Sequence, residues 1–156
     1  MFTLDDRHWP LAIIAVKGLL RGEEFERYLR SYDVLLARAA EEKRKYVLIF
    51  DALEGKTLEL QEMRAHAAWI KDNTERLRTY NLGVAFMVSS AIVRGALKAI
   101  LWLQPMPQPY TIVPTFEEAL RWGEMRAQAG GIQLPDSVQE LAYEHLLRRA
   151  GMGGLS

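Results

Sequence analysis

The chain has 156 residues, 49% of them apolar, which fits one domain of ordinary size with a sizeable core. Twenty acids balance twenty bases, so the net charge is zero, which argues against binding of nucleic acid by bulk charge and leaves only a local patch for it. There is no cysteine, which excludes disulfides, iron–sulfur clusters, Cys-ligated zinc and thiol nucleophiles.

Residues 1–9 lack the basic-then-apolar pattern of a signal peptide, and no apolar run approaches the roughly 18 residues of a membrane span. The expectation is a cytoplasmic protein.

In chain order, Phe2–Asp6 and Leu11–Lys17 read as an N-terminal hairpin joined through His8, Trp9 and Pro10. Glu23–Arg44 is the clearest helix. Phe25, Tyr28, Leu29, Tyr32, Leu35, Leu36 and Ala39 make one apolar stripe, with Glu23, Glu24 and Glu26 in the first turn and Lys43, Arg44 and Lys45 at the end, as the helix dipole favours. Tyr46–Phe50 reads as a strand buried on both faces and ended by Asp51. A loop over Ala52–Lys56 follows, then a helix from about Leu58 to Arg78 with Thr57 as N-cap and Leu60, Met63, Ala67, Ile70, Thr74 and Leu77 on its buried face. Leu82–Val88 is a second buried strand.

Ser89 or Ser90 caps a helix over Ala91–Leu103, and the prolines at 105, 107 and 109 force an extended connection. Tyr110–Val113 is a further core strand. Thr115-Phe116-Glu117-Glu118 is a capping box that opens a helix through about Gln128, stopped by Gly130-Gly131. A linker over Gln133–Pro135 leads to a last amphipathic helix, started by Asp136 or Ser137 and running to about Arg149. The tail from Gly151 reads as flexible. The expected division is a domain over 1–128, then a linker, an appended helix and the tail over 129–156. Strand–helix alternation after the hairpin implies an α/β fold with a mixed, mostly parallel sheet.

Few constellations carry chemistry. Gly55-Lys56-Thr57 looks like the end of a phosphate-binding loop. That motif requires glycine at position 50, where Phe50 stands, and it would place Asp51 and Glu54 against the phosphates. A helix cap is the better reading. His8, His66 and His145 share no metal-ligand spacing, and Glu62 with His66 reads as a surface helix pair. No Ser/His/Asp set stands out, so no enzyme activity, cofactor or metal is expected.

Arg94 and Lys98 form a basic stripe on the third helical segment, either an anion site or a solvated face. Ile92, Val93, Leu97, Ile100, Leu101, Trp102, Leu103 and Met106 exceed the needs of one buried face. Core packing explains most of them, and a homodimer or ligand surface, with Leu97, Leu101, Trp102 and Met106 at its centre, explains the excess.

Three segments carry a family likeness. They are Tyr46-Val47-Leu48-Ile49-Phe50-Asp51, Val93-Arg94-Gly95-Ala96-Leu97 and Thr115-Phe116-Glu117-Glu118-Ala119-Leu120-Arg121-Trp122. With the element order, they resemble the STAS domain of bacterial anti-sigma-factor antagonists, and more closely the STAS/SEC14-like group of small bacterial proteins, over about residues 1–125. The resemblance implies a STAS-like sheet and a non-catalytic regulatory module that binds a protein partner or itself. Its SEC14 side implies an apolar ligand or a membrane surface. In antagonists of this kind a serine at the start of the second helix is phosphorylated. Here Asp51–Glu59 holds no serine, and Thr57 is the nearest hydroxyl. Asp51, Glu54, Lys56 and Thr57 are the candidate partner or switch segment.

Overall fold

The computed structural model describes residues 1–149 and 151. The tail expected beyond Gly151 lies outside the described residues.

Five strands form one sheet in the order β1-β2-β3-β4-β5: β1 (Phe2–His8), β2 (Leu11–Gly18), β3 (Tyr46–Gly55), β4 (Asn81–Met87) and β5 (Tyr110–Val113). β1 and β2 are the antiparallel hairpin, and every later pairing is parallel. The helices among the described residues are α1 (Gly22–Glu42), α2 (Leu60–Asp72), α3 (Thr74–Tyr80), α4 (Ala91–Leu103), α5 (Phe116–Ala129) and α6 (Val138–Arg149).

The sheet separates two apolar layers because side chains alternate along each strand. Tyr46, Leu48 and Ala52 of β3 face a cluster with Tyr28, Leu35, Ile70 and Ile100, from α1, α2 and α4. Val47 and Ile49 face the other cluster, with Phe116, Leu120, Val138 and Leu141 from α5 and α6. Burying side chains such as Val138 and Leu141 contributes about 1.5–3 kcal/mol each. α5 lies close on the sheet: a Cβ on Gly83 would stand 2.5 Å from the Trp122 ring.

Several boundaries differ from the sequence reading. β3 does not end at Asp51. It runs on to Gly55 because β2 also continues to Gly18, and the two remain paired through Lys17–Glu54 and Gly18–Gly55. Most of the expected Ala52–Lys56 loop is therefore strand. Residues 56–59 follow outside any helix, so α2 starts at Leu60, with Glu59 in the N-cap place and no side-chain cap bond. Thr57 is not a cap; its hydroxyl donates to the Leu58 carbonyl at 3.4 Å. Leu60, at the helix end, is exposed rather than buried.

The helix expected to reach Arg78 breaks at Asn73. There the Trp69 carbonyl accepts from both the backbone and the side-chain amide of Asn73, and the Ile70 carbonyl accepts from the Asn73 backbone N–H and the Thr74 hydroxyl, so side chains and a shorter backbone bond crowd the last carbonyls of α2. α1 stops at Glu42 because Lys43 adopts a left-handed conformation (φ 52°), so its last turn holds no base. β5 is an edge strand with Tyr110 exposed rather than a core strand, since only β4 flanks it. α4 and β5 have the expected bounds, and Ser90 and Thr115 are the caps of α4 and α5.

Candidate functional site

The layer between the sheet and α2 and α4 is not fully packed. Phe50 and Phe86 from the strands, His66 and Ile70 from α2, and Leu97 and Leu101 from α4 enclose a cavity of about 70 Å³. Its walls are almost wholly apolar, and exposed Lys56 lies at its rim. A smaller cavity of about 20 Å³ lies deeper, next to Tyr32, Asn81 and Gln108. His66, Ile70, Phe86 and Met106 line both.

Three of the polar groups at this depth, Tyr28, Tyr32 and His66, form a tyrosine–histidine chain. Tyr28 and Tyr32 are one helical turn apart on the buried stripe of α1, and their hydroxyls meet at 2.6 Å. The Tyr28 hydroxyl also meets His66 Nε2 at 2.9 Å. Burial raises both phenols above their ordinary range. It pushes the imidazole the other way, down to about 4, so His66 is neutral at pH 7. Its second nitrogen, Nδ1, is buried and reaches no partner outside its own residue. This corrects the reading of Glu62 and His66 as a surface pair: Glu62 is itself buried. The signal for burial was the spacing, since Met63, His66, Ala67 and Ile70 share one helical face.

α4 presents a second feature on its outer side. Trp102 is 84% exposed and Ile92 71% exposed, although both are large and apolar. Ile92, Gly95, Ala99 and Trp102 follow one another at helical spacing, and a Cβ on Gly95 would meet nothing. Arg94 and Lys98 run beside this stripe, and neither makes an ion pair among the described residues. No acid lies on α4.

The residues singled out from sequence therefore fall into separate places. Leu97, Leu101 and Met106 face the cavity, with Lys56 at its rim, whereas Trp102 is outside it. Glu54 is exposed and lies 3.6 Å from Lys17, and Thr57 is exposed. Asp51 shares the parity of Val47 and Ile49 and so points to the α5–α6 side, where its charge acts on His145. Its carboxylate accepts from the Leu53 amide at 3.1 Å, as a turn-closing aspartate does. His145, stacked on Phe116 at 3.7 Å, is lowered by its burial.

Among solved structures the chain is similar to a protein of the DUF3478 family from Shewanella loihica, described as uncharacterised and as having a SpoIIAA-like fold. The identity is 17% and the TM-score 0.52, over 79% of this chain and 92% of that one. It is also similar to an anti-sigma factor antagonist from Mycobacterium paratuberculosis, at 16% identity and a TM-score of 0.51, over 80% and 93% of the two chains. The fold is STAS-like. The STAS-like chain matches no family model and no curated protein sequence. No helix among its described residues is long and apolar enough to cross a membrane.

Proposed function

We propose that this chain is a non-catalytic, STAS-like interaction module that docks a protein partner on the outer face of α4. The observation that carries the reading is the exposure of Trp102 (84%) and Ile92 (71%) on one stripe beside two unpaired bases. Large apolar groups left in water at the centre of a polar rim are the usual anchor of an interface. Arg94 and Lys98 specify its chemistry, because a partner with acids flanking an apolar ridge meets both the stripe and the charge. A symmetric homodimer through this face would bring two Arg94–Lys98 pairs within a Debye length, about 8–10 Å, and they would repel. The reading therefore favours a different protein over a second copy.

Retention from a lysate of the source cells tests this by comparison of variants. The wild type retains a stoichiometric partner that both Trp102→Glu and the double variant Arg94→Glu/Lys98→Glu lose, with far-UV spectra unchanged. Equal retention by all three removes α4 from the interface, and a stable wild-type dimer by sedimentation restores self-association.

A second reading, binding of an apolar ligand, is favoured by the cavity behind the same helix.

A further inference from the structure

We infer that α6 is a releasable cover: it masks one face of β2 and detaches in acid, with His145 as the trigger. The course of the helix fixes what it masks. Ser137, just before α6, meets His8 Nδ1 at 2.8 Å beside the start of β2. His145, two turns on, stacks on Phe116 and feels the charge of Asp51, whose register partner on β2 is Ala15. α6 therefore runs along β2 from Leu11 towards Ala15. α5 lies over β3, β4 and β5. The cover over Leu11 and Ile13, both buried, comes from α6 and the linker before it.

The anchorage is slight. Among the described residues of α6 only Val138 and Leu141, both near its start, are buried. Past Leu141 the helix is fastened by the His145 ring, 3.7 Å from the Phe116 ring and nearly parallel to it. No side chain of α6 forms a hydrogen bond or ion pair with another element among the described residues. The linker spans an open groove of about 300 Å³ beside Glu124, Ala127 and Gln128 of α5. A segment held by so few buried side chains opens locally at far less cost than the whole domain.

A proton on His145 weakens the fastening. Burial of the ring and the Arg148 guanidinium oppose the charge. Together they outweigh Asp51 on β3, Glu117 on α5 and Glu144 on α6, which favour it. Released into water, the ring takes its proton near the ordinary 6.5. The docked helix therefore prefers the neutral ring. The cover is fully held above pH 6.5 and loosens as pH falls towards the lower value of the docked ring. The other end of the helix does not share this dependence, because a charged His8 still donates to the Ser137 hydroxyl.

Native-state amide exchange of the full-length protein reads the release. Opening constants at Leu141–His145 should rise by up to about tenfold per pH unit below 6.5, the limit for one proton taken up on release. Those at Leu120–Ala127 on α5 should not follow. His145→Phe keeps a ring on Phe116 and takes no proton, so its α6 constants should stay flat. His66 is present in both proteins and cancels in the comparison. Constants at α6 that are flat in the wild type, or that rise equally in His145→Phe, overturn the inference. A rise shared by α5 reports opening of the whole domain and overturns it as well. Should His145→Phe fail to fold, the carbon shift of His145 Cε1 in the wild type must titrate with a midpoint below 6.5, and a midpoint at or above that value removes His145 as the trigger.

Discussion

Replacing His66 by leucine should flatten part of the acid dependence of stability. In the folded chain the enclosed ring titrates near 4, and in the unfolded chain near the ordinary 6.5. The unfolded state therefore binds a proton that the folded state refuses between these values. The stability contributed by the neutral ring is complete above pH 6.5 and is lost as pH falls towards 4. With a difference of about 2.5 pKa units, the loss reaches roughly 2 kcal/mol at pH 5 and about 3 kcal/mol at pH 4, relative to pH 8. Urea unfolding at intervals from pH 8 to pH 4 measures it directly. His145 is also lowered by burial, but it is present in both proteins and cancels in their difference. His66→Leu keeps the apolar volume and leaves the Tyr28–Tyr32 contact in place. The wild type should fall relative to the variant by about 3 kcal/mol across this range. Two curves that stay parallel from pH 8 to pH 4 would show that the ring is not held neutral, and the description of the tyrosine–histidine chain would fail with it.

Gly83→Ala should destabilise by about 1–3 kcal/mol through overpacking, since its methyl would stand 2.5 Å from the Trp122 ring. Adding Trp122→Leu should recover part of the loss in thermal unfolding, and no recovery would place the strain elsewhere. Thr115→Ala removes the acceptor for the Glu118 amide and should cost about 1 kcal/mol, whereas Thr57→Ala, which caps no helix, should stay within about 0.5 kcal/mol. Denaturant titrations in which the two variants behave alike would contradict the observed start of α2. Trp102→Glu should leave stability within about 0.5 kcal/mol because the indole is 84% exposed; a larger fall would make Trp102 a packing residue.

The parts of the fold legible in the sequence were those set by local patterning. The apolar stripe of α1, the serine and threonine caps of α4 and α5, and the continuous run Tyr46–Phe50 each declare their element without reference to the rest of the chain. The extension of β3 was not local. It depends on β2 supplying a paired edge as far as Gly18, and nothing within Asp51–Gly55 announces that edge. The break at Asn73 was hidden for a related reason: it is marked by side-chain bonds from Asn73 and Thr74 to the Trp69 and Ile70 carbonyls within an otherwise periodic segment.

Of the candidate site, the apolar excess of α4 was visible, but not that the helix divides it. Leu97 and Leu101 turn inward to the cavity and Trp102 outward to water. His66 was misread because polarity was weighed above position. Its hydroxyl partner lies 38 residues away on α1, a separation at which no pair spacing can be recognised.

The outer face of α4 as a docking surface is the claim on which the proposed function stands, and site-specific photo-crosslinking tests it most directly. Benzoylphenylalanine would be placed singly in source cells at Ile92 and Trp102 on α4, and at Tyr143 on α6 as an exposed apolar control. The two α4 positions should give one shared adduct whose yield falls when Arg94 and Lys98 are both changed to glutamate, with Tyr143 giving none. Adducts from Tyr143 without any from Ile92 or Trp102 would contradict it.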